Sequence, residues 1–189
     1  MARNIRLWIP NFYYHVVCRG NRREPLYHDE DDYAVFLYIL EQTNKKFPFD
    51  IASYCLMNNH FHLQMKAKEH PISKIMAIIN KRYANYYNSK YELTGHVFEK
   101  RFFDKIISDE LGMLEVSRYI HLNPVVAGVV DRPEDYYWSS YRFFYPSQVK
   151  NTNAVSFLNT EIIFKNYSGT VHDKAASYRE FLFKYQDNI

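Results

Sequence analysis

The chain is short of what several protein classes need. Only five glycines occur in 189 residues, at positions 20, 95, 112, 128 and 169, so no glycine-rich loop is available to cradle a nucleotide phosphate. Two cysteines, Cys18 and Cys55, are too few and too far apart for a disulfide framework or a zinc knuckle. They read as buried thiols in a reducing cytoplasm. The longest strictly apolar run is Tyr33 to Leu40, eight residues, against the ~20 a membrane span requires. The opening residues Met1 to Arg6 lead into no signal-peptide core, so a cytoplasmic, nucleoid-associated location is expected. Net charge is only +3, which permits a polyanionic partner without demanding one.

Aromatic rings are what the chain has in excess. Tyrosine, phenylalanine and tryptophan together make 18% of it. With 47% hydrophobic and 24% charged residues, the composition is that of a globular chain able to bury its own core.

Strand-like and helix-like segments alternate. Residues 12–19 are aromatic and β-branched and predict a strand. Residues 30–46 predict a helix capped by Asp29, with Tyr33, Phe36, Leu37 and Leu40 as its apolar stripe. Residues 49–57 and 60–67 predict two strands joined by Asn58-Asn59, a pair that tolerates left-handed turn geometry. Residues 71–90 carry Ile72, Ile75, Met76, Ile79 and Tyr83 at helical spacing. After Thr94-Gly95, residues 96–107 predict a long strand and 109–122 a helix, with Pro124, Gly128 and Pro133 punctuating a connector. The order β-α-β-β-α-β-α predicts an α+β, ferredoxin-like split βαβ fold. Its antiparallel sheet would carry helices on one face and leave the other open. A catalytic domain is expected over 1–146. Residues 147–189 are expected to form a polar linker and short appended helices.

Three patterns carry chemistry. On a strand, alternate side chains share a face, so His60, His62 and Gln64 point one way and Phe61, Leu63 and Met65 the other, into the core. Two imidazoles about 7 Å apart along a strand can converge on one metal ion. On the 109–122 helix, Glu115, Tyr119 and Asn123 form a polar stripe between apolar flanks, which places them in a cleft. His121 points off that stripe and is not counted as a ligand. Third, Lys81, Arg82 and Lys90 interleave with Tyr83, Tyr86, Tyr87 and Tyr91, and Lys100, Arg101, Lys105, Arg19, Arg22 and Arg23 add to the set. Cations neutralise phosphates and rings stack unpaired bases, so this mix suits single-stranded nucleic acid; a solvated helix face with core aromatics is the plainer alternative.

Four ordered blocks resemble a known family. Met57-Asn58-Asn59-His60-Phe61-His62-Leu63 resembles the His-hydrophobic-His ("HUH") signature of the single-tyrosine transposases. Gly95-His96-Val97-Phe98-Glu99-Lys100-Arg101-Phe102 resembles the block that follows it, and Arg118-Tyr119-Ile120-His121-Leu122-Asn123-Pro124 the block with the nucleophilic tyrosine. Trp138-Ser139-Ser140-Tyr141 resembles a block typical of the REP-associated branch. The resemblance spans about residues 12–145. It implies a metal-dependent endonuclease and strand transferase acting on single-stranded DNA with hairpin structure. Residue by residue, it implies His60 and His62 as ligands of Mg or Mn, Asn123 as a third, and Tyr119 as the nucleophile that forms a 5′-phosphotyrosine. A free phenol titrates near ~10, so something must take its proton, with the metal or Glu115 as candidates. Such a protein works as a monomer or a homodimer; the Trp138 block favours the monomer. The alternative from another class is a non-catalytic nucleic-acid-binding module on the same fold.

Overall fold

The structure, a computed structural model, describes residues 8–144 and 155–184; the expected linker at 147–154 lies outside the described residues. Strands β1 (Tyr13–Arg19), β2 (Phe49–Met57), β3 (His60–Ala67) and β4 (Phe103–Ile107) form one antiparallel sheet in the order β2-β3-β1-β4. Helices α1 (Glu30–Asn44) and α2 (Ile72–Lys90) connect them, and α3 (Glu110–Val126) follows β4. The expected ferredoxin-like order of strands and helices is the observed one.

The period-two pattern of β3 divides the sheet as the sequence predicts. Phe61, Leu63 and Met65 are buried in one cluster with Val16 of β1, Phe36 and Leu40 of α1, and Ile75 and Ile79 of α2. At ~1.5–3 kcal/mol for each fully buried large apolar side chain, this layer is the main source of stability. Asp29 caps α1 by accepting from the Asp32 N–H, and Asp109 caps α3 by accepting from the Gly112 N–H.

Three expectations change. The strand expected over 96–107 is ordered as β4 only from Phe103 to Ile107. Its first half leaves the sheet because Val97 and Phe102 are drawn into the α1–α2 core, with Phe98 packed against it, and such a cluster does not alternate in the strand manner. That half is instead tied to the end of β1, where the Asn21 N–H donates to the Val97 carbonyl and the Glu99 N–H to the Arg19 carbonyl. Gly20 is required there, since a Cβ on it would lie 2.2 Å from the Glu24 carbonyl oxygen.

Helix α3 runs through Pro124 to Val126. Proline forfeits one helical hydrogen bond, but Pro124 is buried in the last turn, and the Ala127 N–H still reaches the Asn123 carbonyl. Asn123 is therefore helical.

The second face of the sheet is also partly covered. Helix α3 lies across it, fixed by Gln64, whose Nε2 donates to the Met113 carbonyl at 2.9 Å while its Oε1 accepts from Ser53 Oγ at 2.7 Å. Helices α4 (Glu161–Phe164) and α5 (Val171–Phe183) pack there too. They place Ile163, Phe164, Tyr178 and Leu182 in a cluster with Tyr13, Ala52 and Leu122. Along the outer edge of β2, the Leu56 N–H donates to the Trp138 carbonyl and the Ile51 N–H to the Phe157 carbonyl, which pairs backbone groups that an edge strand otherwise leaves free. Both cysteines are buried, and neither is in a disulfide.

Candidate active site

Beside α3, the second face carries a strip of imidazoles. His60 and His62 share it with His15 of β1, which lies diagonal to His62, because Val17 is the residue directly opposite His62. The His60 and His62 ring centroids are 4.9 Å apart, and those of His15 and His62 are 5.2 Å apart with the rings stacked. Tyr119 reaches over this strip from α3. Its ring stands edge-on to His62 at 5.4 Å and to His15 at 5.7 Å between centroids, and it is 54% exposed. His15, His62 and Tyr119 line one cleft of about 400 Å³, together with Arg19, Lys100 and Arg101.

The hydrogen bonds orient the two β3 imidazoles. His60 Nδ1 lies 2.8 Å from Asn59 Oδ1, and His62 Nδ1 lies 3.0 Å from His15 Nε2. With its Nδ1 occupied by His15, His62 is left with Nε2 for another partner. His62 Nε2 is buried and has no hydrogen-bond partner among the described residues. The Asn123 side chain meets His60. Burial lowers the pKa of all three histidines. Lys105 adds to the effect at His15, which falls to about 4. His60 and His15 add to it at His62, and Arg19 at His60, where the Asn123 hydrogen bond opposes it. Neutral imidazoles are the form that binds metal.

The side chains that could hold a divalent ion here are His60, His62 and the amide of Asn123, which meets His60. Among the described residues there is no group of three or more His, Cys, Asp or Glu that could hold a metal. Such an ion would therefore have a short protein ligand set and leave positions for phosphate oxygens and water.

The other expected residues divide. Glu115 lines a second groove of about 310 Å³ on the outer side of Tyr119, with Arg118 and Asn123, and its carboxylate is 3.7 Å from Arg118. Among the expected cations, Arg19, Lys100 and Arg101 line the Tyr119 cleft, and Lys105 is opposite His15 on the same face. Arg22 and Arg23 are exposed in the short turn after β1. Lys81 lies in a neighbouring groove lined also by Lys100 and Arg101. Arg82 turns to α1, 3.5 Å from Thr43 Oγ1.

The aromatics of α2 are not a stacking platform. Tyr83 is buried and donates to the Leu26 carbonyl, and Tyr87 donates to the Pro25 carbonyl. Tyr86, Tyr91 and Lys90 all converge on the buried carboxylate of Asp32. A buried charge needs this many partners, which is what holds those rings. His121 is buried with Nδ1 2.7 Å from Tyr178 Oη and Nε2 2.8 Å from Ser140 Oγ, so it belongs to the C-terminal core. The Trp138 block is likewise structural: Trp138 stacks on Tyr33 at 4.5 Å and Ser140 accepts from the Tyr54 N–H. The site residue that the sequence reading missed is His15. Alternation along β1 puts it on the same face as Arg19, but only the strand pairing puts it against His62.

Comparison with known proteins bears on the family and the fold. A Haemophilus influenzae protein with the provisional name REP-associated tyrosine transposase is 26% identical over 113 residues, 53% of this chain and 64% of that relative. The chain thus spans less than two thirds of the relative's length. A solved structure of a REP-associated tyrosine transposase bound to a REP hairpin superposes with a TM-score of 0.66 at 19% identity, covering 76% of this chain and 84% of that one; at that identity the likeness is one of fold. The pattern of the IS200-like transposases matches residues 9–123. That stretch holds His15, His60, His62, Tyr119 and Asn123 together, and the chain belongs to the IS200-like transposase family.

Proposed function

We propose that the chain cuts and rejoins single-stranded DNA, with Tyr119 as nucleophile beside a divalent ion, Mg or Mn, on His60, His62 and Asn123. One observation carries the reading. A half-exposed tyrosine stands edge-on to two histidines of its own chain, one of which has a buried, unsatisfied Nε2. A buried nitrogen without a partner costs stability, and a ligand removes that cost.

When bound, the ion would act as a Lewis acid toward the scissile phosphate. The chain's own residues do the rest. Arg19, Lys100, Arg101 and Lys105 offset phosphate charge along the cleft. The Tyr119 oxygen attacks phosphorus, the bond to the 3′ oxygen breaks, and a 5′-phosphotyrosine and a free 3′-OH result. The bond energy stays in the ester, so a 3′-OH can reverse the step and join strands. Glu115, one turn earlier on α3, takes the phenolic proton through the outer groove. The place of Tyr119 beside its own chain's histidines supports cleavage in cis by a monomer. The hairpin bound by the solved relative motivates a hairpin-bearing DNA as substrate.

Incubation with single-stranded hairpin DNA and Mn or Mg is expected to give a covalent protein–DNA adduct that Tyr119→Phe abolishes. If wild type and Tyr119→Phe both bind DNA and neither forms adduct, the chain is a binding module. If Tyr119→Phe still cuts while His60→Ala does not, water is the nucleophile.

A further inference from the structure

Residues Glu99 to Phe102 are a wall shared by two depressions. One is the Tyr119 cleft. The other is a groove of about 590 Å³ formed by this wall and α2, within the ~300–1,000 Å³ range of small-ligand clefts.

The lining is apolar where the groove is deep. Val97 and Phe102 are buried, and Ala77 and Ala84 keep the α2 side low. Asn80 supplies one polar group. Its Nδ2 donates to Cys18 Sγ at 3.3 Å, and its Oδ1 is buried with no hydrogen-bond partner among the described residues. Lys81, Lys100 and Arg101 are exposed on the lining, opposed by the single carboxylate of Glu99.

We propose that this groove holds one unpaired nucleobase of the strand whose phosphate is presented to Tyr119. The proposal rests on the nuclease reading above and adds the position that sets where the strand is cut. Apolar walls take the faces of a flat ring, the Asn80 amide oxygen accepts an N–H from the base edge, and the three cations hold phosphates on either side. An apolar peptide would meet the walls but not the cations, and a paired base would first have to be unpaired and unstacked, a cost an unpaired base does not carry. Since the wall is shared, a base seated behind it fixes how far along the strand the phosphate before Tyr119 lies.

The test compares oligothymidylate of roughly 15 nucleotides with an abasic strand of equal length and charge, by fluorescence anisotropy. Wild type is expected to bind the thymine strand about tenfold more tightly, the range set by stacking one base. Ala77→Trp, a change at an exposed helix position that fills the groove, is expected to bind both strands alike. Asn80→Leu is expected to stop distinguishing thymine from N3-methylthymine, which lacks the N–H. Equal binding of the two strands by wild type, or a preference kept by Ala77→Trp, overturns the proposal. Adduct formation by wild type on hairpin DNA is read separately. Its absence beside an intact base preference sinks the nuclease reading and leaves the base site standing; adduct formation without base preference does the reverse.

Discussion

His15 and His62 are stacked across β1 and β3, with Nε2 of the first 3.0 Å from Nδ1 of the second. The contact settles which His62 nitrogen faces the cleft. In the proposed metal site His15 is thereby a positioning partner of His62.

Replacing His15 with alanine removes that support. Mn affinity measured by calorimetry is expected to fall about 10- to 100-fold, the usual effect of losing a partner that orients a metal-binding imidazole. Fold and melting cooperativity should be retained. Unchanged affinity would mean that His62 is held by packing alone.

The cations predict an uneven salt response. Each phosphate contact on a single strand contributes about 0.7 to the slope of log affinity against log salt. Lys100→Ala and Arg101→Ala should each flatten the slope by about that amount. Arg82→Ala should leave it alone, because Arg82 is turned to Thr43 on α1. A slope sensitive to Arg82 would move the DNA path to the α1–α2 side.

Asp32 links stability to pH. Burial pushes its carboxyl up, but hydrogen bonds from Lys90, Tyr91, the His28 N–H and Tyr86 outweigh burial and hold it below the usual carboxylate range. A lowered carboxylate pKa gives stability that is complete above its unfolded value, ~3.9, and is lost as pH falls through the folded one. Asp32→Asn should cost about 2–4 kcal/mol at neutral pH, as expected for breaking a buried charged network. The variant should also lose less further stability in acid than wild type does, in urea titrations at pH 7 and pH 3. Parallel acid losses would place the sensitivity elsewhere.

Gly20→Ala tests the joint at the end of β1. The added Cβ would meet the Glu24 carbonyl at 2.2 Å, and backbone cannot turn aside as a side chain can. A loss of about 1–3 kcal/mol is expected, the range for overpacking. Hydrogen exchange should rise at the Asn21 and Glu99 amides, which tie residues 97–99 to this joint.

Where neighbours in sequence decide the structure, it was legible. Alternation along β3 separated His60 and His62 from Phe61 and Leu63, Asn58-Asn59 marked the hairpin, and helical spacing put Tyr119 and Asn123 on one stripe. What depends on pairing between distant segments was not. His15 needs the β1–β3 register. The tyrosines of α2 look like a base-stacking surface until Asp32, some fifty positions earlier, is seen to hold them. The strand expected over 96–107 fails in its first half because Val97 and Phe102 find a better core than the sheet edge. Pro124 reads as a stop, yet burial of that turn outweighs the lost hydrogen bond.

The back of α3 is fastened to α5. Tyr178 meets both Ser117 and His121, and Arg118 Nε donates to the Leu182 carbonyl at 2.8 Å. The residues directly before and two after Tyr119 are thus secured by partners some sixty positions downstream. A chain still emerging from the ribosome has the histidine strip long before it has this brace, so its tyrosine becomes firmly aimed only once α5 has been made.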